Sequence, residues 1–220
     1  MQISKPLKTV VIVVAVIVSF YILITNSHTD IESFALVSGI AIDKNSDGYK
    51  VGVEILNAYE QNGEQRTIVL EATAPELLQA IVGIEQKCSK PLSFSHCSLM
   101  LMNKSFAKEN DFANRLQSLI NKKKIDSTCN LVIAQNACNV LKKDNGIYPI
   151  ASYDIVELIK SNRTAGESQK DSQYFKVSNN LLQSKKVILP CIALSGENAV
   201  TNGYFEISAQ YDTKGNTYEE

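Results

Sequence analysis

Residues 10–24 read VVIVVAVIVSFYILI, without a charged side chain; Ser19 and Tyr21 are the polar groups within the run. No other stretch restricts the chain as much. A lone strand in a bilayer would leave its backbone groups unpaired, so in a membrane this run has to be helical despite its valines. Counted with its flanks, from residue 7 to 25, it meets the ~17 residues that span hydrocarbon. Val10, Ile12, Val14, Val16, Val18, Phe20, Ile22 and Ile24 are the residues of the expected anchor. Lys5 and Lys8 precede it and Asp30 and Glu32 follow, which predicts a cytoplasmic N-terminus with everything after Asn26 outside. The expected protein is single-pass, with an extracytoplasmic C-terminal domain. A cleaved signal peptide is the competing reading, because Thr25 and Ser27 are small residues that suit a peptidase. The apolar run sits at the long end of the ~7–15 residues usual for a signal core, which favours a retained anchor. A buried core helix fits least, since the run is apolar on every face.

The remainder of the 220 residues suffices for one medium domain or one and a half small ones. Net charge is -1 and pI about 6.2, so nothing in the average electrostatics asks for nucleic acid or an anionic membrane surface. Lys122, Lys123 and Lys124 form the one basic run; it falls where a helix should end, and a solvated helix C-terminus accounts for it. Cysteines stand at Cys88, Cys97, Cys129, Cys138 and Cys191, an odd number without metal-binding spacing. Most lie within apolar patterns, so buried free thiols are the default, with one or two disulfides open in an oxidising compartment.

Residues 34–43 and 49–59 read as two strands joined by a turn at Asp47-Gly48. The first is apolar on both faces, which predicts a central strand. In the second, Val51, Val53 and Ile55 alternate with Lys50 and Glu54, the pattern of a strand with one solvated face. Residues 66–72 read as a third strand. Thr73-Ala74-Pro75-Glu76 then reads as a capping box before a helix with the stripe Leu77, Ile81, Ile84 and Cys88. Further on, the pattern predicts a strand at 98–102, one or two helices over 105–121, a strand at 128–134 and a short helix at 137–142. Ser152 reads as the cap of a helix carrying Ile155, Val156, Leu158 and Ile159. Residues 161–172 read as a loop and 174–183 as ambiguous. Residues 187–194 read as a strand in which Pro190 marks an edge or a bend. Residues 204–211 alternate as a strand, followed by a turn and the beginning of a hairpin without its second strand. Strands alternate with helices after an initial hairpin. The expected fold class is α+β or mixed α/β: an N-terminal transmembrane helix, then a mixed, largely antiparallel sheet flanked by helices.

The chemistry-bearing motifs are missing. There is no Gly-rich phosphate loop, no Gly-x-Ser-x-Gly, no His-Glu-x-x-His and no Asp-rich calcium loop. His96 next to Cys97 suggests a nucleophile pair, but neighbours on a strand point to opposite faces. Asp43 reads as the start of a turn. No catalytic, cofactor-binding or metal-ligating residue stands out, and no cofactor is expected.

Three segments together carry a resemblance. The first is Asp30-Ile31-Glu32 followed by Ala35, Val37, Gly39, Ile42 and Asp43. The second is Tyr49, Val51, Val53 and Ile55. The third is Lys90, Leu92, Phe94, Ser95 and His96, before an apolar strand. In this order they resemble the opening of the C subunits of bacterial spore germinant receptors. Leu189-Pro190 resembles the strand after which that family's second domain begins, and residues 203–211 that domain's first strand. The resemblance implies a non-enzymatic subunit working with two integral-membrane partners, the A and B subunits of the receptor, at the spore inner membrane. There the complex senses nutrients and triggers germination. Whether the subunit itself meets a nutrient stays open. For Phe94-Ser95-His96 the favoured reading is structural, with Phe94 packing and His96 bonded to backbone; a contact within the receptor is the alternative. Two departures stand out. Residues 23–29 hold no lipobox cysteine, so the apolar run would replace a lipid anchor. The family's members are also longer, so a truncated or split gene product, or a shortened variant, is expected. The expected division is 1–29 anchor or signal peptide, 30–185 germination-protein-like domain, and 186–220 the start of an incomplete β-rich domain. Outside this family, the readings are a membrane-anchored structural or adhesive domain, or a small thiol-dependent enzyme using Cys97 or Cys129.

Overall fold

The computed structural model describes residues 14–16, 18–20, 33–56, 67–143, 150–164, 172–183, 185–196 and 198–207. Met1–Phe34 forms one compact unit and Ala35–Glu220 another. Within the expected anchor, residues 14–16 and 18–20 are helical, and Val14, Val16, Val18 and Phe20 are exposed. Val10, Ile12, Ile22, Ile24 and Ile31 lie outside the described residues. No described helix is long and apolar enough to cross a membrane.

The larger unit is built on a single sheet. Strands β1 (Ala35–Asn45) and β2 (Gly48–Leu56) form the expected hairpin, and β3 (Thr67–Ala74) pairs antiparallel with β2. Gly48 holds the turn at φ 127, where a side chain would run into the Ala74 carbonyl. Helix α1 (Leu77–Glu85) leads through the short strand β4 (Leu92–Ser93) to β5 (Leu99–Met102). Helices α2 (Lys104–Ala107) and α3 (Phe112–Lys123) lead to β6 (Asn130–Ala134). Helices α4 (Ala137–Leu141), α5 (Ala151–Thr164) and α6 (Tyr174–Leu182) lead to β7 (Val187–Ser195), and a hairpin turn leads to β8 (Asn198–Ile207). The strand order is β3-β2-β1-β5-β6-β7-β8, with β4 beside β1.

The middle of the sheet corrects the expected, largely antiparallel pairing: β1, β5, β6 and β7 run parallel, and antiparallel partners flank them on both sides. The physical reason is visible in β5, Leu-Met-Leu-Met, all four buried. Strands covered on both faces by crossover helices are apolar throughout and need no alternation. One face packs Ile40, Ile42, Val53, Met100, Met102 and Ile133 against α1, α2, α3 and α6. The other packs Ala41, Leu99, Leu101 and Val132 against α4 and α5. Buried aliphatic side chains of this kind contribute about 1.5–3 kcal/mol each.

Local expectations were displaced where tertiary contacts took over. Thr73 does not cap α1, because β3 continues through it, opposite Lys50. Instead Glu76 takes the cap position without a side-chain hydrogen bond. Ser152 lies inside α5, whose cap comes from another strand. Residues 105–121 hold two helices, and 174–182 proves helical. Most of the loop expected over 161–172 lies outside the described residues. Pro190 marks a bend, not an edge: the register shifts between Pro190 and Ile192, and pairing with β6 starts at Cys191. The residue without an N–H stands just before the ladder needs one. β8, expected to open a hairpin whose second strand is missing, pairs along its length with β7 in the same sheet; the residues that would follow it, 208–220, lie outside the described residues.

On the α4–α5 face β1 turns small. A methyl added at Gly39 would stand 2.8 Å from Ser152 Cβ and 3.1 Å from Leu141 Cδ1. Gly39→Ala is expected to cost about 1–3 kcal/mol, read from urea denaturation. Unchanged stability would mean that α5 does not sit against this strand.

Candidate functional site

The hairpin carries two acids on the face where Gly39, Ala41 and Gly52 leave room. Glu54, expected at a solvated face, is fully buried. Its Oε1 accepts from the Ala151 backbone N–H at 2.8 Å. Its Oε2 accepts from the Ser152 N–H at 3.1 Å and the Ser38 hydroxyl at 2.7 Å. Asp43 sits inside β1, not in a turn, and is 7% exposed. Its two oxygens accept from the N–H groups of Ala137 at 2.8 Å and Cys138 at 3.0 Å. Each carboxylate therefore closes the N-terminus of a helix that follows it by about a hundred residues or less, satisfying orphan donors and meeting the positive end of the helix dipole. Beside them Glu71 bridges Lys50 at 3.1 Å and Lys142 at 2.6 Å. Burial works to raise the Glu71 carboxyl, but the two ammonium groups outweigh it and hold the pKa below its ordinary value.

In open α/β sheets the carboxyl ends of parallel strands are where ligands usually bind. Here that end is occupied by the chain's own side chains. Asn103, after β5, accepts from the Lys44 and Phe106 N–H groups and donates to the Lys44 carbonyl, tying β1 to α2. The Tyr49 hydroxyl donates to Glu109 at 2.8 Å, and burial together with that carboxylate pushes its pKa up. Arg115 joins Asp111 at 2.6 Å and Glu76 at 3.2 Å. A cleft between α3 and α6, lined by Leu116, Gln117, Tyr174 and Ser178, has about 20 Å³, room for one water. Among the described residues no three His, Cys, Asp or Glu side chains are grouped to hold a metal ion.

The thiols are free, as expected: Cys97, Cys129, Cys138 and Cys191 are buried and Cys88 is half-buried. The Cys97 thiol donates to the Leu99 carbonyl at 3.4 Å. Its contact with Cys129, with burial, pushes the Cys129 pKa up, and burial above all does the same to Cys138. A reactive thiolate needs the opposite shift.

Of the residues singled out in sequence, Ala35, Val37 and Ile42 lie in the core, and Gly39 and Asp43 meet at the α4–α5 face. Phe94 is buried at 2% exposure, whereas Ser95 and His96 stand exposed in the turn after it. The backbone bond expected of His96 is not among those the described residues make. Pro190 is buried on the far side of the parallel strands. Sequence reasoning missed Glu54 and Asn103. A lone acid in the middle of an otherwise apolar strand was the available signal for Glu54.

Comparison with known proteins identifies a family. A family model described as the spore germination protein N-terminal domain matches residues 27–194. No curated protein matches. A crystal structure of the GerBC protein is similar at 18% identity over 77% of this chain and 48% of that one; its TM-score of 0.38 carries no structural argument. The chain thus spans about half the length of the GerBC chain it matches.

Glu54→Ala would leave two helix N–H groups without their acceptor and the Ser38 hydroxyl with the residue 54 carbonyl at 3.3 Å alone, and is expected to cost about 3 kcal/mol or more. Asp43→Ala should cost less, having fewer bonds to lose. The Ser152 hydroxyl is buried without a hydrogen-bond partner, so Ser152→Ala should cost nothing; urea denaturation separates the three. The pH dependence has a definite sign. Glu71 holds its proton less readily folded than unfolded, so its stabilisation is complete above the unfolded carboxylate pKa. It is lost as pH falls through the folded value. Tm should therefore drop between about pH 5 and pH 3 by more in the native chain than in Glu71→Gln.

Proposed function

The chain belongs to the family of the spore germination protein N-terminal domain, and from that premise we propose that it is a membrane-anchored, extracytoplasmic subunit of a nutrient germinant receptor, working as a scaffold or coupling element. A role in spore germination follows from the family itself. The finer reading rests chiefly on one observation. The family match over residues 27–194 covers the strands and helices that Asp43 and Glu54 tie together. The polar groups that would ordinarily do chemistry are spent there on holding the fold. That supports a non-enzymatic role, as do the Cys97 contact and burial that push the Cys129 thiol up and the burial that pushes the Cys138 thiol up. The apolar run over residues 10–24 supports anchoring at the outer face of the spore inner membrane. The proposed partners are the integral-membrane A and B subunits of the receptor. The thiol-dependent reading has no support from the surroundings of Cys97 and Cys129.

Deleting the gene is expected to slow germination on particular nutrients, measured as loss of optical density of a spore suspension. The subunit should co-purify with two multi-pass proteins from spore membranes. Normal germination on every nutrient tested, or purification without such partners, would remove the receptor reading.

A further inference from the structure

Among the described residues two glycines follow an Asp or an Asn, in Asp47-Gly48 and Asn202-Gly203. Both have positive φ, 127 at Gly48 and 71 at Gly203. The fold treats them differently. Gly48 is buried opposite Asn45 in the β1–β2 ladder, and the Ala74 carbonyl closes the space beside it. The Asp47 carboxylate there accepts from the Ser46 hydroxyl at 3.0 Å. Gly203 is exposed, and no heavy atom lies within 4 Å of where a side chain would begin. The reason is the bend at Pro190. Pro190 pairs with Tyr204 and Ile192 with Thr201, so Cys191 alone faces both Asn202 and Gly203. β8 therefore carries one extra residue at this point, a bulge, and neither Asn202 nor Gly203 has an opposite number in the register. β8 is also the last strand of the sheet, and Asn202 is exposed.

An asparagine side chain carries an electrophilic carbon within reach of the next residue's backbone nitrogen. A side chain on that next residue crowds the approach, and glycine removes the obstacle. A regular ladder would hold the nitrogen in place, and burial would keep out the base and water that the reaction uses. At Asn202 the backbone leaves the regular ladder and both residues meet solvent. We propose that Asn202 is a site of spontaneous deamidation, attacked by the Gly203 nitrogen and converted to isoaspartate and aspartate. The nitrogen gives its proton to hydroxide and bonds to the carboxamide carbon. The bond from that carbon to the amide nitrogen breaks, ammonia leaves with a proton from water, and a succinimide ring remains. Water then opens the ring. Attack at the main-chain carbonyl routes the backbone through the former side chain as isoaspartate; attack at the other carbonyl gives aspartate. One water enters and one ammonia leaves, with no oxidant, metal or enzyme. Either product adds a negative charge to the outer strand, and isoaspartate also lengthens its main chain at the bulge. Asp47 lacks both conditions: its turn is closed, and a carboxylate is the poorer electrophile. The proposal is independent of the receptor reading.

The full-length chain is incubated at mildly alkaline pH, folded or unfolded in guanidinium, and digested with trypsin at intervals. The peptide over residues 187–214 holds Asn202; Asn62-Gly63 and Asn145-Gly146, outside the described residues, fall on other peptides. Mass spectrometry reads the exchange of amide for carboxylate, and methyl uptake with an isoaspartyl methyltransferase reads the isoaspartate. In the folded chain Asn202 should convert within about tenfold of its unfolded rate, a barrier difference of about 1.4 kcal/mol or less. Conversion should speed up as pH rises, and isoaspartate over Asp47-Gly48 should form only in the unfolded chain. Asn202→Gln should abolish the signal from 187–214, because the longer side chain closes the ring poorly. Asn202 intact in the folded chain, or slowed there beyond tenfold, overturns the proposal. So does isoaspartate that persists in 187–214 of Asn202→Gln, which would place the reaction at Asn198.

Discussion

Two carboxylates on one hairpin hold this structure in register. A buried acid is costly unless its oxygens are saturated, and an exposed helix N-terminus is incomplete unless its donors are met. Glu54 and Asp43 remove both costs at once, each receiving the first N–H groups of a helix that lies far along the chain. The direction and depth at which α4 and α5 approach the sheet follow from that. The small residues Gly39, Ala41 and Gly52 do the complementary work by clearing the space. A cap supplied across the fold, not by the preceding residue, makes the assembly of α5 conditional on the hairpin.

That dependence explains what sequence reading could reach. The hairpin, its Asp47-Gly48 turn and the central position of β1 were legible, because they depend on neighbours in the chain. So were the apolar stripes of α1 and α5. Thr73 and Ser152 misled for a single reason: both are good caps by local chemistry, and both lost to long-range pairing, Thr73 to β2 and the start of α5 to Glu54. Parallel pairing was equally hidden. Leu99–Met102 has no alternation to read, and nothing in four apolar residues says which way the neighbouring strand runs. The family motif was visible as letters, yet its physical content at Gly39 and Asp43 emerged only with the helices in place.

The two ends of the sheet differ in character. At the carboxyl end Asn103 engages Lys44 and Phe106, and Glu109 engages Tyr49 and Arg115. At the amino end the turns are short, polar and outward-facing.

Between β6 and β7 the backbone ladder joins only Ile133 to Cys191 and Ala134 to Ile192, whereas β1 and β2 are stitched over nearly their whole length. The sheet is thus two plates sharing a narrow weld, with Leu189 and Ile192 as apolar filler on either side of it. Helix α5 lies across that weld, sharing one apolar cluster with Ala41 and Leu101 on one plate and Ile192 and Ala199 on the other, so side-chain packing holds the plates together where the backbone ladder is short.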